Sequence, residues 1–168
     1  ALTLWARILD RVPESPVVFD FGECPEEKKA RIREILGECV SFPCSSPMSE
    51  HVKAYHGIDL ALDPLVHNGG VTTMEALWMG VPVVTLPGQQ TFRRLSASVL
   101  NVLGLTDFVA TSEDDYVEKV VAWVTSRRNE LSVIRGGLRD RIRKSALTIG
   151  YTEAVESAYR KLWKEWCK

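Results

Sequence analysis

The sequence has 168 residues, of which 45% are hydrophobic and 26% charged, and its formal net charge is −1. A chain of this size can form one domain with its own core. The charge gives no general attraction to nucleic acid or anionic membranes, and no apolar run reaches the ~20 residues of a membrane span. We therefore expect neither nucleic acid nor a membrane as a partner.

The N-terminus lacks an initiating Met and the basic-then-apolar order of a secretion signal, and it starts inside a helical pattern. These features predict a fragment of a longer protein. The four cysteines form no C-x-x-C pair, so no zinc or other metal site is expected. Free thiols in turn favour a cytoplasmic location.

Predicted helices and short apolar strands alternate along the chain. Helical spacing and capping residues predict helices at 2–12, 25–37, 46–57, 72–80, 92–104, 112–130, 131–147 and 152–166. Runs of β-branched and aromatic residues predict strands at 16–22, 40–44, 58–63, 81–88 and 107–112. This order predicts an α/β fold, with a parallel Rossmann-like sheet covered by helices on both faces. Ligands are expected at the carboxyl ends of its strands.

The last predicted helix, at 152–166, carries an apolar stripe that includes Trp163 and Trp166. The simplest interpretation is that this stripe docks on the core of the same domain. The alternative is that the end of the helix packs against a second domain.

The segment HNGGVTTMEALWMGVPVVTLPG, at 67–88, has the pattern of an anion site. Gly69 and Gly70 allow left-handed or crowded backbone conformations, and Thr72 and Thr73 open a helix whose first N–H groups have no intrahelical partner. Such amides, together with the helix dipole and the hydroxyls, favour a diphosphate. The segment has neither the lysine of a Walker P-loop nor a G-x-G-x-x-G fingerprint.

Three charged or titratable residues near this segment have two interpretations each. Glu75, placed in the first turn of the helix, could complement the helix dipole or accept ribose hydroxyls. His67 could donate to the diphosphate or the sugar, or could be a solvated loop residue. Arg94 could neutralise phosphate charge or form surface salt bridges.

The same segment, with SEHVKAYHGIDLALD before it and RRLSASVLNVLGL after it, resembles the O-linked N-acetylglucosamine transferase / SPINDLY family. The run EALWMGVPVVTLPG is its most specific part, and the similarity extends from 4–13 to 159–166. The resemblance implies a two-lobed GT-B glycosyltransferase that needs no metal or other cofactor. Residues 1–168 would form a single nucleotide-sugar-binding domain, the C-terminal lobe.

The resemblance also implies roles for individual residues. Glu75 would bind the ribose, His51 would lie against the nucleotide base, and the backbone around Ser46 and Pro47 would read the edge of the base. Arg94 matches an arginine of the family. The diphosphate would be held by hydroxyls and backbone amides of Gly69, Gly70, Val71, Thr72 and Thr73.

Four positions depart from the animal enzymes of the family. Gly70 and Val71 replace a His and a Thr, which gives a GG-x-TT form that resembles the bacterial version of the motif. Met48 and Ala54 replace a Lys and an Arg near the base. The substitutions bear on how tightly the donor binds and on which base it carries.

These observations favour the donor-binding lobe of an inverting glycosyltransferase, which transfers N-acetylglucosamine from UDP-GlcNAc to protein Ser/Thr hydroxyls. The protein acceptor and the general base would come from the missing N-terminal lobe, with tetratricopeptide repeats upstream. We therefore expect no catalytic residue in this lobe, and an inactive isolated lobe. The alternatives are a GDP-fucose-dependent transferase, a GT-B nucleotide-sugar epimerase or hydrolase, and a non-catalytic assembly domain.

Overall fold

The computed structural model describes residues 1–20, 24–43 and 48–167. Its helices follow the predicted order, and most of them are shorter than predicted. They are α1 Leu2–Leu9, α2 Glu26–Leu36, α3 Met48–Ala54, α4 Val71–Trp78, α5 Leu95–Val102, α6 Glu113–Val124, α7 Arg128–Arg143 and α8 Tyr151–Trp166. Three short 3₁₀ turns lie at Tyr55–Gly57, Thr91–Arg93 and Thr106–Phe108.

The strands form two parallel pairs. Strand β1 (Val17–Val18) pairs with β2 (Val40–Ser41), and β3 (Ala61–Leu62) pairs with β4 (Val83–Val84). The α/β class and the parallel pairing are therefore confirmed, although each strand is shorter than predicted. The predicted strand at 107–112 is instead a 3₁₀ turn followed by a single parallel bridge between Thr85 and Val109.

A cleft separates the two strand pairs. Its walls include β1 and the residues after it, β3 and the residues around it, and part of α4, and it encloses about 730 Å³. Trp5, Val124 and Leu131 contribute apolar surface to the cleft, while His51 and Thr72 contribute polar groups. The cleft therefore reaches the residues that the sequence assigns to ligand binding.

Helix α1 connects the two sides of the cleft. On one side, the Trp5 ring packs 5.4 Å from the ring of Phe19, which follows β1. On the other side, the indole N–H of Trp5 donates to the Tyr116 hydroxyl on α6 at 3.4 Å. Tyr116 is fully buried, and burial raises the pKa of its phenol. Arg7 also pairs with Asp114 of α6 at 2.6 Å.

The boundary between α6 and α7 lies earlier than the sequence predicts. Ser112 caps α6 by accepting from the Asp115 amide at 3.1 Å, and three acidic residues follow it, as expected. The helix ends at Val124 because the Thr125 backbone leaves the helical region. The Thr125 hydroxyl donates to the Val121 carbonyl at 2.6 Å, so this carbonyl at the end of the helix has a hydrogen-bond partner.

Helix α8 does not dock on the core, so the simplest interpretation of its apolar stripe is wrong. None of its residues is buried, and Trp163 and Trp166 are 67% and 84% exposed. Gly150 begins the helix in a left-handed conformation with φ of 71°, which turns the chain after α7. The apolar stripe of α8 therefore faces outward in this chain.

Candidate functional site

The loop between β3 and α4 is held by a buried carboxylate. Asp63 is 3% exposed and directly follows β3, and it accepts from the Gly69 amide at 2.7 Å and from the Thr85 hydroxyl at 2.5 Å. Burial raises the pKa of Asp63, while these hydrogen bonds act in the opposite direction. The side chain thus fixes the loop against the end of β4, a role that the sequence analysis did not assign to it.

The two glycines of the loop have different reasons to be glycine. Neither glycine has a positive φ, so neither adopts the left-handed conformation that the sequence analysis offered as one explanation. A Cβ at Gly69 would lie 2.6 Å from the Thr73 hydroxyl and 2.7 Å from the Thr72 hydroxyl, which leaves no room for a side chain. A Cβ at Gly70 would meet only Leu95, at an ordinary 3.7 Å. Crowding therefore requires glycine at Gly69 alone.

The two threonines also differ. Thr73 is buried, and its hydroxyl lies 2.8 Å from that of Ser96 on α5, which in turn donates to the Gly69 carbonyl at 2.9 Å. Thr72 is exposed at the start of α4. The Thr73 hydroxyl thus belongs to the network that holds the loop, whereas the Thr72 hydroxyl is open to a ligand.

The N-terminus of α4 offers hydrogen-bond donors at the carboxyl end of β3. The helix begins at Val71, one residue before the predicted start, and no side chain caps it. Val71 is 74% exposed, so the start of the helix lies at the protein surface. The first turn of a helix has no intrahelical acceptors for its N–H groups, and its dipole favours anions.

An imidazole between two carboxylates lies beside this helix end. His51 on α3 contacts Asp20 through Nδ1 at 2.8 Å and Glu75 through Nε2 at 3.4 Å. All three side chains are less than about a quarter exposed, at 23%, 19% and 25%. The hydrogen bond to Asp20, followed by the contact with Glu75, raises the pKa of His51 despite the opposing effect of burial.

Glu75 lies one residue further into α4 than the sequence predicts, which takes it out of the first turn. Because the helix starts at Val71, its first turn contains no acidic residue, and Glu75 falls in the second turn. The dipole effect fades within the first turn, so dipole complementation does not explain this glutamate well. Glu75 contacts His51, which lies next to the Tyr55 side chain, whose ring is 5.4 Å from the imidazole. Burial and the charge of Glu75 raise the pKa of Tyr55 to about 12.

His51 predicts a pH-dependent contribution to stability. The raised pKa means that the stabilisation by the imidazolium is complete below the ordinary His value of about 6.5 and is lost as the pH rises through the folded-state pKa. We expect the difference in free energy of unfolding between the natural chain and His51→Gln to shrink as the pH rises from about 6. Urea unfolding of both proteins at a series of pH values measures this difference in free energy. The exposed His56→Gln is the control, and a pH-independent difference for His51→Gln would contradict the prediction.

Asp20 was not among the site residues predicted from the sequence. The only signal for it is a charged residue at the end of the apolar run PVVFDFG, where a parallel strand presents its carboxyl end. Its partner His51 is 31 positions away, so the pairing depends on the tertiary fold.

The chain matches a known protein family over most of its length. The family described as Glycosyl transferase family 41 matches residues 1–154. The chain belongs to glycosyl transferase family 41.

Individual members of the family match nearly the whole chain. A protein named probable UDP-N-acetylglucosamine–peptide N-acetylglucosaminyltransferase SPINDLY from Solanum lycopersicum is 34% identical over 99% of this chain and 19% of its own length. Its namesake from Arabidopsis thaliana is 36% identical with the same coverage. A mutant Thermobaculum terrenum O-GlcNAc transferase shares 30% identity with a TM-score of 0.87, over 99% of this chain and 34% of that one. The chain therefore spans about a fifth of these SPINDLY proteins.

The remaining predicted site residues of this family 41 chain lie around the loop. His67 is exposed and stacks on Phe92 at 5.6 Å, and Arg94 is exposed at the start of α5. Arg93 donates through Nε to the Leu65 carbonyl at 2.7 Å, so it holds the loop in place. Ser46 and Pro47, assigned to the base edge, lie outside the described residues.

The described part of this family 41 chain also contains no group of three or more His, Cys, Asp or Glu side chains arranged to hold a metal ion. The two carboxylates beside His51 meet different ring nitrogens and do not converge on one point. Among the described helices, none is long and apolar enough to span a membrane.

Proposed function

We propose that this chain is the donor-binding lobe of an inverting, metal-independent glycosyltransferase of the two-lobed GT-B type. It would hold UDP-GlcNAc for transfer of N-acetylglucosamine to Ser/Thr hydroxyls of proteins. The observation that carries the proposal is the accessible N-terminus of α4, with the Thr72 hydroxyl at its start and Glu75 one turn further on. The names of its SPINDLY relatives, which describe transfer of N-acetylglucosamine to peptide, support the choice of donor.

In this proposal, the diphosphate binds the α4 amides and the Thr72 hydroxyl, and Glu75 accepts the ribose hydroxyls. During the reaction the bond between the sugar C1 and the phosphate oxygen breaks, while the acceptor hydroxyl forms a new bond to C1 from the opposite face. The electron pair of the broken bond remains on the UDP oxygen, where the helix amides stabilise the developing charge. The rest of the protein binds the acceptor protein and supplies the base that takes the hydroxyl proton.

The exposed apolar stripe of helix α8 is better explained by contact with a second lobe than by permanent exposure to solvent. Its exposed aromatic residues, Trp163 and Trp166 among them, face away from the core, and contiguous apolar surface of this kind marks an interface. We include in the proposal that α8 packs against polypeptide outside this chain. The transferase and the assembly-domain alternative both predict such contact, but only the transferase predicts nucleotide binding.

Nucleotide titration tests the proposed function. We expect UDP to bind the chain saturably and to shift the amide NMR signals of residues 69–75. Glu75→Ala should weaken binding about tenfold, because hydrogen bonds to a charged group contribute about 1.5–3 kcal/mol, and Thr72→Val should weaken it about fivefold. Glu113→Ala, which removes an exposed acid from the first turn of α6, is the matched control.

The pattern of these titrations separates the alternatives. Tighter binding of GDP than of UDP would favour the GDP-fucose alternative. Binding that is unchanged in both site variants would place the nucleotide elsewhere and reject the proposed site. The donor-binding proposal is rejected if UDP and GDP both fail to bind at millimolar concentration, to this chain and also to the full-length protein. That result would favour the assembly-domain alternative.

A further inference from the structure

The Asp20–His51–Glu75 array has a chemical asymmetry. A neutral imidazole carries one N–H and can donate to only one of two carboxylates, whereas an imidazolium donates to both. The contact with Asp20 is 2.8 Å and that with Glu75 is 3.4 Å, so the neutral ring keeps its proton on Nδ1 towards Asp20. Its Nε2 lone pair then faces the Glu75 carboxylate, and the attraction that holds Glu75 is lost.

The charges around His51 make this loss relevant to an anionic ligand. Asp20 approaches from the end of β1 and Glu75 from α4, while the Tyr55 phenol, next along the chain from α3, stays neutral because its pKa is raised to about 12. On α3 itself, Lys53 pairs with Glu50 at 2.8 Å. The imidazolium is therefore the cation that offsets two carboxylates close to the N-terminus of α4.

We propose that Asp20 is a positioning residue that holds His51 against Glu75, and that the charge of this imidazole makes nucleotide-sugar binding at α4 dependent on proton uptake. The inference rests on the proposed function. When His51 is charged, Glu75 is oriented and the negative potential near the diphosphate is reduced. When His51 is neutral, the attraction that orients Glu75 is lost, and the negative potential near the anionic donor is larger.

The first measurement is the titration of the His51 imidazole by NMR without ligand. The chain has three histidines, and His51→Gln identifies the signal. Asp20→Asn retains the shape and a hydrogen-bond acceptor but removes the charge, so we expect the titration midpoint of His51 to fall. Asp107→Asn, which removes an exposed acid paired with Arg127, should leave the midpoint unchanged. An unchanged midpoint in Asp20→Asn overturns the positioning role.

The second measurement is the affinity for UDP-GlcNAc as a function of pH. This donor is a diphosphate esterified at both ends, so neither phosphate titrates near neutral pH. A pH dependence of its affinity therefore comes from the protein. We expect affinity to fall about fivefold, at the lower end of typical linkage effects, as the pH rises through the His51 midpoint. In Asp20→Asn the fall should occur at lower pH, in step with the NMR midpoint.

The outcomes distinguish this inference from the proposed function. Binding that is intact but independent of pH overturns the proton linkage and leaves the donor-binding function standing. No binding at any pH overturns both, while the NMR titration still reports on whether Asp20 holds His51.

Discussion

Asp63→Ala is expected to lower the free energy of unfolding by about 3 kcal/mol. The substitution removes the acceptor for the Gly69 amide and the Thr85 hydroxyl, and each donor left buried without a partner costs about 1–3 kcal/mol. Domains are stable by only about 5–15 kcal/mol, so this loss is a large share of the total. Thermal unfolding should shift down by roughly 6–12 °C in a chain of this size.

An exposed aspartate on the other side of β3 provides the control. Asp59 precedes β3, is mostly exposed, and pairs with Arg135 at 2.5 Å. Exposed ion pairs contribute about 0–1 kcal/mol, so Asp59→Ala should shift the urea midpoint only slightly. If Asp63→Ala and Asp59→Ala lowered the free energy of unfolding by similar amounts, Asp63 would not be the residue that holds the loop.

Gly69→Ala is expected to disrupt the ligand loop and to weaken UDP binding at least tenfold. The added Cβ would lie within 2.7 Å of two hydroxyls, one from Thr72 at the proposed phosphate site and one from Thr73 in the network with Ser96. Relief of this overlap requires both threonine hydroxyls to move, which displaces the Thr72 hydroxyl and breaks the contact of Thr73 with Ser96. Overpacking of this kind typically costs about 1–3 kcal/mol. Isothermal titration with UDP and urea unfolding measure the two effects.

The neighbouring glycine is a matched control for this substitution. A Cβ at Gly70 meets only Leu95 at 3.7 Å, so Gly70→Ala should fold normally. Its φ of −114° lies outside the left-handed region that favours glycine. If Gly70→Ala damages folding and binding as much as Gly69→Ala, steric crowding is not the reason for glycine at Gly69.

The features that could be predicted from the sequence are those encoded locally. The cap at Ser112 and the acids after it set the start of α6, and Gly37, with φ of 83°, marks the end of α2 as expected. The glycine-threonine loop before α4 was also predictable, because its residues are adjacent in the chain. Local hydrogen bonding and backbone freedom decide such features without help from distant residues.

The features that could not be predicted depend on residues far apart in sequence. An apolar stripe on α8 gives no information about which surface it meets, so its outward orientation required the structure. The pairs Asp63–Thr85 and Asp20–His51 bring polar ends of separate strands and helices together. A single sequence shows that these residues are polar, but not which partner each one reaches.

The candidate site spans the boundary between the two strand pairs. Asp20 and His51 follow β1 and β2, whereas Thr72 and Glu75 follow β3, and α1 connects the two sides through Trp5. A partial opening of the molecule along the cleft would separate His51 from Glu75 without unfolding either strand pair, and native-state hydrogen exchange detects such sub-global openings. A ligand that contacts both sides would oppose that opening, so its binding should slow amide exchange on α1 as well as at the site.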